Sequence, residues 1–186
     1  MKNTLILLRH GRTQFNPDNP VSQWALSEEG EKQAKEIAES GVFDYVDVII
    51  CSGEYKAKQT ASYLADRLGK IVISNSGLNE IGRDDGGILT EEEHDKTLEF
   101  ALRNQDQSRH RWETAQNALN RYESSVDQIN REYKGKNILI VSHGTVMSLY
   151  FAKLTGTMDQ IVEREKRLGY CDYGTVKCSR VVKGIV

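Results

Sequence analysis

Apolar positions along this chain fall into short unbroken runs separated by stretches of helical period. Leu5–Leu8, Val48–Cys51 and Ile138–Val141 are such runs, inside strands predicted over Thr4–Leu8, Val46–Cys51 and Asn137–Ser142. Apolarity at nearly every position is what a strand covered on both faces requires. Lys70–Ile73 and Thr175–Val182 read as two further strands. Between them, Glu28–Ser40 turns Ala34, Ile37 and Ala38 inward, with Ser27 as N-cap and Gly41 at the C-terminal stop. Tyr55–Leu68 repeats Ala57, Ala61, Leu64 and Leu68 on one face, and Trp112–Tyr133 carries the longest apolar stripe, from Ala115 to Tyr133. Strands alternating with helices predict an α/β fold: a three-layer α/β/α sandwich on a mainly parallel mixed sheet, in one domain of residues 1–186. Residues 82–111 break the alternation. They are polar and acidic around one apolar cluster, Leu98 to Leu102, and read as a helical excursion that could cover a site. Glu91–Glu93 after Thr90 suits a helix's first turn, where negative charge favours the dipole.

Composition narrows this picture. With 186 residues, 38% of them hydrophobic, the chain can bury a core without metal or disulfide staples. Its 25 basic and 27 acidic residues leave a net charge of −2, and no block of like charges points to nucleic acid or an anionic membrane surface. The apolar runs are far shorter than the ~20 residues that span a bilayer. Arg9-His10 interrupts the N-terminal run too early for a secretory signal, so a cytoplasmic protein is expected. Cys51, Cys171 and Cys178 form no CxxC pair and fit reduced thiols. The only two prolines, Pro17 and Pro20, predict one stiff irregular loop.

Chemistry enters at two strand ends. Leu5–Leu8 runs into Arg9-His10-Gly11, and Ile138–Val141 runs into Ser142-His143-Gly144. Ligands of parallel α/β sheets sit at the carboxyl ends of the strands. If these two strands are neighbours, both imidazoles and Arg9 meet in one crevice, with glycine allowing the backbone to approach an anion.

These residues also carry a resemblance. Arg9-His10-Gly11-Arg12-Thr13-Gln14-Phe15-Asn16 is similar to RHGxTxxN, the N-terminal pattern of the histidine phosphatase superfamily, also called phosphoglycerate mutase-like. Leu26 to Ala34 resembles its LTxxGxxQA segment. Ser52 to Ala61 (SGEYKAKQTA) resembles a segment reading R-A-x-Q-T-A, Leu78-Asn79-Glu80 an L-x-E, and Val141 to Gly144 the second-histidine motif. The resemblance implies His10 as nucleophile, forming a phosphohistidine, with Glu80 as general acid and base and His143 as a charge-stabilising partner. It implies that Arg9, Asn16, Lys56 and Gly144 contact the phosphate, that no metal or cofactor takes part, and that the partner is a small phosphorylated substrate.

Several departures qualify this expectation. Lys56 stands where the family has a clamping arginine, keeping the charge but losing the bidentate fork; Lys58 is an alternative. Asp84 or Asp85 could replace Glu80 as the acid, and Gly82 to Gly87 lacks the family's aromatic residue. Arg12 reads equally as a substrate-binding or a surface arginine. Hydrolysis is the expected reaction, because the mutase members resembled have a longer insertion and a C-terminal tail. A mutase-type transfer and a degenerate phosphate-ester-binding module are the alternatives.

Overall fold

A computed structural model describes residues 2–186. Its six strands are β1 (Thr4–Arg9), β2 (Val48–Ser52), β3 (Val72–Asn75), β4 (Asn137–Ser142), β5 (Tyr173–Lys177) and β6 (Arg180–Lys183). They form one sheet in the order β3-β2-β4-β1-β5-β6. The first four in that order run parallel, and β5 and β6 are antiparallel additions at one edge. The helices are α1 (Glu28–Glu39), α2 (Tyr55–Leu68), α3 (Glu91–Arg103), α4 (Ala115–Glu132), α5 (Gly144–Thr155) and α6 (Ile161–Arg167).

The unbroken apolar strands are explained by layers on both faces. Ile6, Leu8, Ile49, Cys51, Leu139 and Val141 point to one side, where they pack with Ala38, Ala57, Ala61 and Leu64 of α1 and α2. Leu5, Leu7, Ile50, Ile138 and Ile140 point to the other, against α3, α4, α5 and α6. This is the expected α/β/α sandwich. Each such Ile or Leu contributes about 1.5–3 kcal/mol by leaving water, so the strands that carry the crevice are also the most deeply held.

Local signals place the helix ends. Ser27 accepts the Gly30 N–H at 3.1 Å, and Thr90 forms a capping box with Glu93. The longest helix starts at Ala115 rather than Trp112, because Thr114 caps it by accepting the Asn117 N–H. The strand read over Thr175–Val182 is in fact two. The chain reverses at Cys178 and Ser179, both left-handed with φ of 55° and 57°, in a two-residue hairpin turn that lacks the usual Asn-Gly.

Candidate active site

β1 and β4 lie side by side in register, with Arg9 opposite Ser142. The next residues on the two strands are His10 and His143, and their ring centroids are 5.0 Å apart. The crevice predicted from two strand ends therefore exists. It opens into a cavity of about 540 Å³ whose wall includes Arg9, His10, Lys56, Glu80, Thr145 and Glu165.

His10 is held in a defined orientation. Its Nδ1 lies 2.7 Å from the Gly11 carbonyl oxygen, an atom that can only accept, so Nδ1 carries the proton and Nε2 keeps its lone pair. Burial holds the ring well below the usual imidazole pKa, and the neighbouring His143 and Lys56 reinforce this. Neutral His10 is thus the stable form near pH 7. His143 is fully buried behind it, with Nε2 2.7 Å from the Ser52 hydroxyl and Nδ1 without a protein partner. Burial, then Lys56 and Arg83, keep its pKa well below 6.5 as well.

The matched motif residues turn out to fix the loop that carries His10. Thr60 accepts the Gly11 N–H at 3.1 Å, Gln33 accepts the Arg12 N–H at 2.9 Å, and Gln59 accepts the Leu26 N–H at 2.8 Å. Gly11 and Gly30 meet backbone to backbone. A Cβ on Gly30 would lie 1.9 Å from the Arg12 carbonyl oxygen, and one on Gly11 2.5 Å from that of Gly30. Only glycine permits α1 to press this closely on the loop.

Arg9 donates through Nη1 to the Leu168 carbonyl and lies 4.3 Å from the centre of the Tyr170 ring, while its Nε is buried without a partner. Glu80 caps α5: Oε2 accepts the Thr145 N–H at 3.0 Å, and Oε1 accepts those of Val146 and Ile81 at 3.1 and 3.0 Å. Gly144 opens α5 beside Arg9, since a Cβ there would be 3.2 Å from the guanidinium carbon.

Other expected residues fare differently. Lys56 reaches the cavity wall but is only 2% exposed, and its ammonium donates to the Val21 carbonyl at 2.9 Å and to Glu54. Burial lowers its pKa, and Glu54 opposes that shift. Lys58 is exposed on α2. Asn16 is not on the cavity wall; its Oδ1 accepts the Asp18 N–H at 3.0 Å in the turn after it. Arg12 is likewise outside the cavity, paired with Glu29 at 2.9 Å. Asp84 accepts both the N–H and the hydroxyl of Ser22, at 3.1 and 2.5 Å, and neither it nor Asp85 lines the cavity. The aromatic residue missing from 82–87 is supplied by Trp112 and Trp24, which both line the wall.

Three site residues escape sequence reading. Glu54 joins the crevice together: Oε1 accepts the Glu80 N–H at 2.7 Å and lies 3.7 Å from His143 Nε2, while Oε2 pairs with Lys56. An acid two residues before a phosphate-site cation was a usable signal. Arg121 donates to the carbonyls of Gly77, Asn79 and Glu80, each at 3.0 Å, and pairs with Glu113 at 2.7 Å, so it fixes the segment that carries Glu80. It lies on the polar side of a helix stripe, where an arginine looks like any solvated one. Glu165 lines the cavity with a buried, unpartnered Oε2, and burial next to Glu80 raises its pKa. Its setting, the run Glu163 to Arg167, reads as a charged surface.

Among the described residues no group of three or more His, Cys, Asp or Glu could hold a metal ion, and no helix is long and apolar enough to cross a membrane.

Comparison with known proteins agrees with this geometry. A probable phosphoglycerate mutase of Enterobacter sp. (strain 638) is 27% identical over 91% of this chain and 82% of its own length. A phosphoglycerate mutase of Schizosaccharomyces pombe is 29% identical, covering 90% of this chain and 87% of its own. Among solved structures, Bacillus stearothermophilus YhfR superposes with a TM-score of 0.78 at 21% identity, over 98% of this chain and 95% of that one. A phosphoserine phosphatase of Entamoeba histolytica, solved with 3-phosphoglyceric acid, superposes with a TM-score of 0.74 at 23% identity, over 93% and 89%. These structures share the fold. The sequence model of one family matches residues 5–180, nearly the whole chain. The protein belongs to the histidine phosphatase superfamily, branch 1.

Proposed function

We propose that this protein is a metal-independent phosphomonoester hydrolase that works through a phosphohistidine on His10. The observation that carries the reading is the His10 tautomer: a proton fixed on Nδ1 by the Gly11 carbonyl leaves Nε2 free for in-line attack. Nε2 bonds to phosphorus as the P–O bond to the leaving group breaks, and the departing alkoxide takes a proton from Glu80. Water then attacks the phosphohistidine, gives its proton back to Glu80, and releases phosphate and free His10. Glu80 has room for this role, because three backbone N–H groups use three of the roughly four lone-pair positions of its carboxylate. Arg9, with its free Nε, and Lys56 supply positive charge to the equatorial oxygens. A bound dianion favours protonated His143, whose Nδ1 then becomes a donor.

A mutase reading has one observation in its favour, the names of the curated relatives. Incubation with ³²P-labelled phosphomonoesters separates the two. Hydrolysis predicts an acid-labile, base-stable label on the His10 peptide after rapid quench, and inorganic phosphate as the end product even when glycerate is present. Label transferred to glycerate in preference to water would establish the mutase, and absence of both label and turnover would leave a binding module.

A pH dependence follows from the lowered histidine pKa values. The acid limb of kcat/KM, which reports the free enzyme, is expected clearly below pH 6.5. Both histidines bind protons less readily when folded than when unfolded, so stability declines as pH falls from about 6.5 toward their folded values. Thermal melts between pH 7.5 and 5 check this; a melting temperature that rises on acidification would contradict it.

A further inference from the structure

The cavity floor and the cavity mouth differ in chemistry. The floor carries Arg9, His10 and Lys56. The rest of the wall carries an apolar and aromatic group, Phe15, Trp24, Leu89, Leu98, Tyr170 and the buried Trp112, which the phosphoryl chemistry does not use, beside the polar Thr13, Arg83, Glu91 and His94. Phe15 is 61% exposed, and Trp24 meets it edge to face with centroids 5.3 Å apart. Tyr170 is also exposed, with Arg9 against its ring. Aromatic side chains gathered this way around an opening mark a surface that a ligand covers.

Charge at the mouth points the same way. Beyond Arg9 and Lys56, the described residues of the wall include one more cation, Arg83. Its Nη1 is bonded to His94 Nε2 at 2.7 Å, and it lies 5.6 Å from the Trp112 ring centre. Glu80, Glu91 and Glu165 share the wall. With Arg9 and Lys56 committed to the phosphate, a substrate carboxylate, as on a phosphorylated glycerate, would find Arg83 facing it from the wall together with the carboxyl groups of Glu91 and Glu165. The volume of about 540 Å³ also exceeds what a three-carbon phosphate fills.

We infer that the leaving group of the substrate is aromatic, seated between the Phe15–Trp24 pair and the Leu89–Leu98 wall while the phosphate rests on the floor. This rests on the hydrolase reading above and narrows it to a substrate class. Rings suit the site better than flexible chains because edge-to-face contacts with Phe15 and Trp24 are open to a planar group.

The test compares primary alkyl phosphates, whose leaving groups have similar acidity. Phenethyl phosphate is expected to exceed ethyl phosphate and glycerol 3-phosphate in kcat/KM by about thirtyfold, the effect of covering one ring face. Trp24→Ala and Leu89→Ala should each cut that ratio by several-fold. Equal or higher kcat/KM for glycerol 3-phosphate or 3-phosphoglycerate would overturn the inference and leave the hydrolase reading intact. Octyl phosphate matching or exceeding phenethyl phosphate would overturn the choice of an aromatic group. If no ester turns over, the hydrolase reading fails, and binding still decides the inference. The only two tryptophans, Trp24 and Trp112, both line the cavity, so their fluorescence reports occupancy. Phenethylphosphonate should bind about thirtyfold more tightly than ethylphosphonate, and equal affinities would refute it.

Discussion

Replacing His10 with alanine is expected to lower kcat on p-nitrophenyl phosphate by roughly 10⁴-fold or more, the scale seen when a covalent nucleophile is removed. The fold should survive. His10 contributes one hydrogen bond to its own loop, whereas Thr60, Gln33 and Gln59 hold the adjacent backbone independently. Circular dichroism and the melting temperature of His10→Ala should therefore stay near those of the parent. Loss of turnover with loss of structure would say nothing about the nucleophile, so His10→Gln, nearly isosteric, is the companion variant. Retained turnover in both would refute the phosphohistidine mechanism. Activity in the parent should also withstand EDTA; loss of turnover in the chelator would refute the metal-independent part of the proposal.

The second large effect is on stability. Glu54→Ala removes the partner of an ammonium that is 2% exposed, leaving Lys56 with the Val21 carbonyl alone among the described residues. Breaking a buried pair in this way costs about 3–5 kcal/mol, a large share of the 5–15 kcal/mol that holds a typical domain. The Glu80 N–H loses its acceptor at the same time. A pH signature accompanies the loss. Burial already lowers the Lys56 pKa, and without Glu54 it falls further. Folded Lys56 then releases its proton before the unfolded chain does, so the variant regains stability as pH rises from its folded pKa toward about 10.4. Urea unfolding at pH 7 and pH 9.5 measures this. A deficit that is equal at both, or larger at pH 9.5, would show that Lys56 is not the group left stranded. The double variant Glu54→Leu, Lys56→Met should recover much of the loss.

How much of this was legible in the sequence depends on the kind of signal. β1, β2 and β4 could be read because both of their faces are covered, which makes every position apolar. The crevice followed from two His-Gly turns, because parallel neighbours deliver equivalent ends to one place. Helix α5 left no periodic trace: Gly144 through Ala152 are all buried, so no polar face alternates with an apolar one. The β5–β6 turn was hidden because Cys178 and Ser179 adopt a conformation that their side chains do not advertise. Glu54 and Lys56 stand two residues apart in the SGEYKAKQTA segment, but the ion pair between them is a product of their shared burial, which spacing alone does not encode. Asn16 shows the reverse case, a motif residue that lies outside the cavity with its Oδ1 engaged in a local turn.

The bridge from Ser22 to Asp84 has a consequence beyond its two hydrogen bonds. It ties the proline-bearing segment to the start of residues 82–111, so two stretches remote in sequence form a single frame above the histidines. The frame draws nothing from β1 or β4, while the catalytic floor draws on both. The frame reaches the floor through the backbone carbonyl of Val21, which accepts the Lys56 ammonium, so side-chain substitutions in the frame leave that contact in place. A chain built this way can exchange one clientele for another while its reactive centre stays as it was.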